Sequence, residues 1–249
     1  MDCLAHFCLK FGHITVILPL VMVGMIFHKR EVYARATCFL LWVMVINTLL
    51  KQLFKVPLFP HLGSGYAFPS GHMHASAIFY GYFLYKTNNK AVRVALLALL
   101  CCLGSSLVYC NFHDWFDVLG AVGFSIAEIF AYHLISKNFG DKTAGVVAIF
   151  SAIACMLVLY VIFKVEWHVW LAFYGLVGMT SMLFFVKEQK LQTFLAKIIA
   201  LGITSAIIYA VHYIFKIVDF SEVYLSTIKF ALIPWIIAFS VRVAKKRVR

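Results

Sequence analysis

The chain has 249 residues, 63% of them hydrophobic and only 13% charged, with a mean hydropathy of +0.93 and a formal net charge of +12. That balance excludes a soluble globular domain and describes a polytopic helical membrane protein. It does not make nucleic acid a partner, because the basic residues fall in short clusters between apolar runs rather than along one face.

Apolar runs near the ~20 residues that cross a bilayer fall at 12–28, 32–54, 71–86, 91–110, 114–135, 144–163, 168–186, 197–215 and 225–243. They predict an all-α bundle of about nine spans in one membrane domain, 1–249, with a core over about 32–135 and additional C-terminal spans over about 144–243. The first run lacks a basic leader and a small-residue cleavage site, so it reads as a retained span and not a signal peptide. The seven cysteines lie mostly inside apolar runs (Cys38, Cys101, Cys102, Cys155) and read as packing residues. Cys3 and Cys8 would be able to pair if they faced an oxidising compartment.

After the second run the pattern breaks. Between Lys51 and His72 lie three of the five prolines (Pro57, Pro60, Pro69) and three glycines (Gly63, Gly65, Gly71). A helix does not run through such a stretch. The apolar run resumes at Met73, so Ser70-Gly71-His72 opens a new helix, whose unpaired N–H groups and positive end suit an anion. Gly71 lets a phosphate approach the backbone, and His72 can give or take a proton near neutral pH.

A second polar constellation, Ser105 to Asp117, separates the fourth and fifth runs. His113 and Asp117 are four apart and share a face if the fifth run is helical there. An Asp that holds one imidazole nitrogen leaves the other as a nucleophile or base. Asp114 reads as the cap of the fifth span. Glu128 lies 11 residues past Asp117, ~16 Å deeper along a helix at 1.5 Å per residue. It reads as an interhelical hydrogen-bond partner, with a proton relay as the alternative. His74 reads as a satisfied or surface histidine, and the abundant Phe, Tyr and Trp as lipid-facing and interfacial packing.

Alternate connections divide the charge. The loops after spans one, three, five and seven, with the C-terminal tail, hold 16 of the 22 basic residues. The opposite side has Lys10, Lys51, Lys55, Lys164, Lys216 and Lys229. Positive charge marks the cytoplasmic side. The N-terminus is therefore expected outside and the C-terminus inside, with His72 and His113 together on the outer face.

These residues resemble the integral-membrane type-2 phosphatidic acid phosphatases, which share a helical core with glucose-6-phosphatase and vanadium haloperoxidases. The family pattern is Lys, six residues, Arg-Pro; then Pro-Ser-Gly-His; then Ser-Arg, five residues, His, three residues, Asp. The second part is intact at Pro69-Ser70-Gly71-His72, and the third is carried by Ser106, His113 and Asp117 at the family's spacings. The likeness covers about Lys51 to Asp117. Both motif arginines are missing: Leu58-Phe59 stands where Arg-Pro belongs, and Leu107 follows Ser106. An apolar residue does not replace a bidentate guanidinium.

The resemblance implies a mechanism in which His113, oriented by Asp117, attacks phosphorus to form a phosphohistidine while His72 protonates the leaving oxygen. Lys51, Ser70, Gly71, Lys55 and Ser106 are the phosphate-binding candidates, with Asn111, Tyr109 and His74 weaker ones. Asp114 and Asp117 are the only nearby carboxylates, so neither a metal nor another cofactor is expected. The expected substrate is a lipid phosphate or diphosphate, such as an isoprenoid diphosphate, a phosphatidate-like lipid or a lipid A phosphate. A headgroup transferase with the same histidines and a non-catalytic lipid-binding relative are the rival readings. The compact chain and outer-facing site favour a bacterial inner membrane, with the endoplasmic reticulum and a lumenal site as the alternative.

Overall fold

The computed structural model describes residues 2–163, 165–187, 189–217 and 222–247. Lys164 and Arg249, both counted in the charge partition, lie outside them. The helices are α1 (Asp2–Lys10), α2 (Ile14–Phe27), α3 (Arg30–Phe54), α4 (Gly71–Lys86), α5 (Lys90–Tyr109), α6 (Trp115–Ile162), α7 (Trp167–Phe185), α8 (Phe194–Ile217) and α9 (Glu222–Arg247). The described residues contain no strand, only a lone antiparallel bridge between Pro57 and Tyr66. The all-helical expectation holds.

Five helices, α3, α5, α6, α7 and α8, are long and apolar enough to cross a membrane, and a sixth span arises if α1 and α2, bent by 45°, count as one. Each apolar run in the sequence coincides with helix. The runs 114–135 and 144–163 merge into α6, which breaks at Gly140 with φ 84° and ψ 159°, outside helical geometry. Tyr132 Oη donates to Asp141 Oδ1 across that break at 2.9 Å, and Ser136 Oγ donates to the same oxygen. The third run becomes a helix of only 16 residues. Helix α1, nine residues long, is too short to register as an apolar run in the sequence.

The chain divides into two compact units. The first comprises Met1–Leu18 and Trp42–Val165, the second Pro19–Leu41 and Glu166–Arg249. The unit bearing both motifs differs from the 32–135 core read from sequence: it takes in the N-terminal helix and the far half of α6, while 32–41 falls in the second unit. Within the first unit α4 packs against α5 and α6, α5 also meets α6, and α1 lies on α5. Ile78, Phe79 and Tyr82 of α4 are fully buried. The turn between α1 and α2 rests on α4, where Tyr80 Oη donates to the Phe11 carbonyl at 2.8 Å. Cys101 and Cys102 are exposed on α5 instead of packed, and Cys3 and Cys8 are free thiols. In the second unit α9 packs on α7 and α8. Gly178 lets α7 and α9 touch backbone to backbone, since a Cβ there would lie 2.2 Å from the Ala231 carbonyl oxygen.

Candidate active site

Helix α4 begins where the Pro/Gly-rich loop ends. Ser70 is its N-cap, and its Oγ accepts from the Met73 amide at 3.4 Å. Gly71 is the first helical residue, and α3 lies hard against it: a Cβ would come 3.3 Å from Asn47 Oδ1 and 4.0 Å from Lys51 Cε. His72 follows, exposed at the helix start. The first N–H groups of α4 have no intrahelical acceptor, so this end of the helix favours negative charge.

The loop that delivers α4 is closed on itself. Leu58 donates to the Gly65 carbonyl at 3.1 Å and Ala67 to the Val56 carbonyl at 2.7 Å. Its tip reaches the other motif, where His61 Nε2 donates to the Asn111 carbonyl at 3.0 Å.

Helix α5 ends in a turn that aims His113. The Cys110 amide donates to the Ser106 carbonyl, and the amides of Phe112 and His113 both donate to the Leu107 carbonyl, at 3.0 and 3.3 Å. Asn111, at φ 54°, reverses the chain. Asp114 then caps α6 as expected, its Oδ1 accepting from the Asp117 amide at 2.8 Å. His113 Nδ1 lies 2.9 Å from Asp117 Oδ2, with the residues 7% and 3% exposed. A carboxylate oxygen accepts, so the ring proton sits on Nδ1 and Nε2 keeps its lone pair. Burial pushes the His113 imidazole below its ordinary value, while the hydrogen bond and charge of Asp117 pull the other way.

Ser70 N–H donates to the Asp117 carbonyl at 3.1 Å. This bond ties the second motif to the third. His72 and His113 lie within electrostatic range of each other, and Lys51 within range of both. Lys51 is held by its Nζ, which donates to the Tyr66 carbonyl at 2.7 Å. The structure therefore assembles Ser70, Gly71, His72, His113, Asp117 and Lys51 in one place.

Two candidates stand differently. Helix α3 ends at Phe54, and Lys55 sits beyond it, exposed and at φ 54°, so it does not continue the helical face of Lys51. Ser106 is buried within α5. Leu107, at the position where the phosphatase motif that the chain resembles has an arginine, is 2% exposed and belongs to the core.

Asn47 and His13 are additions that sequence reasoning does not single out. Asn47 is four residues before Lys51 in α3 and hence on the same face, which is the available signal. His13 lies in the turn between α1 and α2, within electrostatic range of His72. His74 proves fully buried, with its Nε2 3.0 Å from Glu128 Oε2, so the interhelical partner expected for Glu128 is His74.

Among the described residues no three His, Cys, Asp or Glu side chains gather as metal ligands would. No protein-family model, curated protein or solved structure matches the chain.

Proposed function

We propose that this chain is a membrane-embedded phosphatase that hydrolyses a lipid phosphate or diphosphate through a phosphohistidine at His113. The observation that carries the reading is the joining of His113–Asp117 to the capped start of α4 by the Ser70–Asp117 bond. The motif likeness to type-2 phosphatidic acid phosphatases supports it as well.

In this mechanism the lone pair on His113 Nε2 forms the N–P bond as the P–O bond to the leaving group breaks. Asp117 stabilises the imidazolium character that develops on the ring. His72 gives its proton to the leaving oxygen, then takes one from the water that cleaves the N–P bond. Lys51 and the first N–H groups of α4 stabilise charge on the equatorial oxygens. The site lies at helix ends, so a headgroup reaches it while the chain of the lipid stays in the bilayer. On the nine-span reading of the sequence, with the basic loops cytoplasmic, it faces the extracytoplasmic side of a bacterial inner membrane.

The burial of Leu107 keeps two further readings in play. With no guanidinium beside Ser106, the grip on phosphate is looser, as would suit a headgroup transferase with the same histidines or a lipid-binding relative without catalysis. One experiment separates the three. Purified protein in detergent is given a panel of lipid phosphates with excess chelator, with and without an acceptor alcohol lipid. Hydrolysis releases phosphate, transfer moves it to the acceptor, and binding alone does neither. Absence of both turnover and a covalent phosphoenzyme in the wild type would remove the enzyme reading.

A further inference from the structure

A second polar cluster lies below the histidines, and the proposed chemistry does not use it. Asn47 Nδ2 is 3.3 Å from the Pro69 carbonyl oxygen and 3.0 Å from His74 Nδ1; His74 Nε2 is 3.0 Å from Glu128 Oε2. Asn47 and His74 are 6% and 0% exposed, and Glu128 is largely covered.

The chemistry of the partners fixes the direction of every bond. A carbonyl oxygen only accepts, so the amide nitrogen of Asn47 faces Pro69. That same nitrogen faces His74 Nδ1, which must therefore accept. The ring proton of His74 is then on Nε2, where the carboxylate of Glu128 receives it. Both amide hydrogens of Asn47 are used, one on each partner. The row is directional from Asn47 on α3, through His74 on α4, to Glu128 on α6.

Burying a carboxylate among helices is costly, and such groups are retained where they serve geometry or function. Here the far end of the row is the Pro69 carbonyl, next to the cap residue of α4. Ser125 Oγ also donates to the His74 carbonyl, at 3.4 Å, and the His74 amide donates to the Ser70 carbonyl at 2.9 Å. The helix start is thus held from above by Asp117 and from within by Asn47.

We infer that Asn47, His74 and Glu128 form a buried positioning network that sets the backbone of the Pro69–His72 turn, and with it the anion-binding start of α4. All three are positioning residues, since none reaches the reacting atoms. The link to phosphate rests on the proposed function; the setting of the turn does not.

The test uses full-length protein in detergent, labelled with ¹⁵N on glycine and histidine, and inorganic phosphate as the probe. Asn47→Asp keeps the size of the side chain and removes both donors. Glu128→Gln keeps an acceptor for the His74 proton, whereas Glu128→Leu does not. The wild type should show His74 as the Nε2–H tautomer. Asn47→Asp and Glu128→Leu should shift the Gly71 amide signal and weaken phosphate binding roughly tenfold or more, as for the loss of two buried hydrogen bonds in the first and one in the second. Glu128→Gln should stay near wild type in both. An unmoved Gly71 signal with unchanged phosphate affinity in Asn47→Asp and Glu128→Leu overturns the network, as does damage by Glu128→Gln equal to that of Glu128→Leu. If one of these variants does not fold, the other decides by the same readouts. A wild type that binds no phosphate, with a Gly71 signal that Asn47→Asp still moves, sinks the phosphatase reading and leaves the network standing.

Discussion

The backbone of Ser70 donates to the backbone of Asp117 at 3.1 Å, so the residue that caps α4 is fixed to the residue that orients His113. The bond is main chain to main chain, and substitution at either side chain leaves its donor and acceptor in place. If the proposed function holds, anion binding and nucleophile orientation can therefore be perturbed separately.

Asp117→Asn should exploit that separation. The neutral amide neither holds the Nδ1 proton as firmly nor stabilises an imidazolium, so turnover should fall by ~10²–10⁴. Phosphate affinity should change little. His113→Ala should remove the covalent phosphoenzyme altogether. Rapid quench into alkaline detergent, which preserves the acid-labile N–P bond, with ³²P-labelled substrate measures both, and wild-type turnover in the Asp117→Asn protein would exclude the orienting role.

The missing arginines give a second expectation. Lys51→Ala should cost about 2–4 kcal/mol of transition-state stabilisation, the range for one preorganised donor. Lys55→Ala should cost less, since Lys55 is exposed beyond the end of α3. Introducing the arginine of the resembled motif by Leu107→Arg should not raise activity. That side chain is 2% exposed, and a guanidinium there would be buried without a partner. Gel filtration should report less folded protein; a folded, faster Leu107→Arg would show that the position opens onto the site.

The pH profile of turnover should carry the mark of His113. Burial lowers its pKa below 6.5, so below that pH a larger share of the rings stays neutral than in free imidazole. In the proposed mechanism the neutral form is the nucleophile. Activity should thus persist as pH falls through 6.5 and be lost only at lower pH, as Nε2 takes a proton. An acid limb centred above 6.5 in phosphoenzyme formation would contradict this.

Gly120 on α6 supplies a steric test. A Cβ there would lie 2.2 Å from Phe68 Cε2. The Phe68 ring cannot swing away, because Phe54, Phe116 and Phe124 surround it at centroid distances of 4.9, 4.7 and 6.3 Å. Gly120→Ala should cost about 1–3 kcal/mol of stability as an overpacked core does, and it should displace the turn two residues before Ser70. Gly123→Ala is the control, since nothing lies within 4 Å of its Cβ. Thermal unfolding in detergent compares them, and equal midpoints would show that Phe68 has room to move.

Much of this is legible in the sequence, and the limits follow from what a linear pattern encodes. Apolar runs mark the helices because each needs only local composition. The 113/117 spacing marks the His–Asp pair, although His113 stands just before the Asp114 cap of α6 and is brought to Asp117 by the turn that ends α5 instead of by a helical turn. Gly140 is harder to place, since helix continues on both sides of its break. The bonds from Asn47 to Pro69 and from Ser70 to Asp117 join residues 22 and 47 positions apart, and no periodicity announces them. His74 stands out in the sequence, but its partners come from two other helices. Lys55 misleads because the sequence shows a residue one turn past Lys51 and not the left-handed step that ends α3.

The order of the buried row along the chain bears on how the protein is made. Asn47 is synthesised first, then His74, and Glu128 last. A carboxylate entering a bilayer alone is expensive, and domains form from the N-terminus as the chain emerges. When α6 leaves the ribosome, the imidazole that receives its carboxylate has already been delivered with α4. The acidic helix is thus inserted into a membrane that already holds its partner. A chain permuted to place α6 ahead of α3 and α4 would present Glu128 to lipid with nothing to meet it.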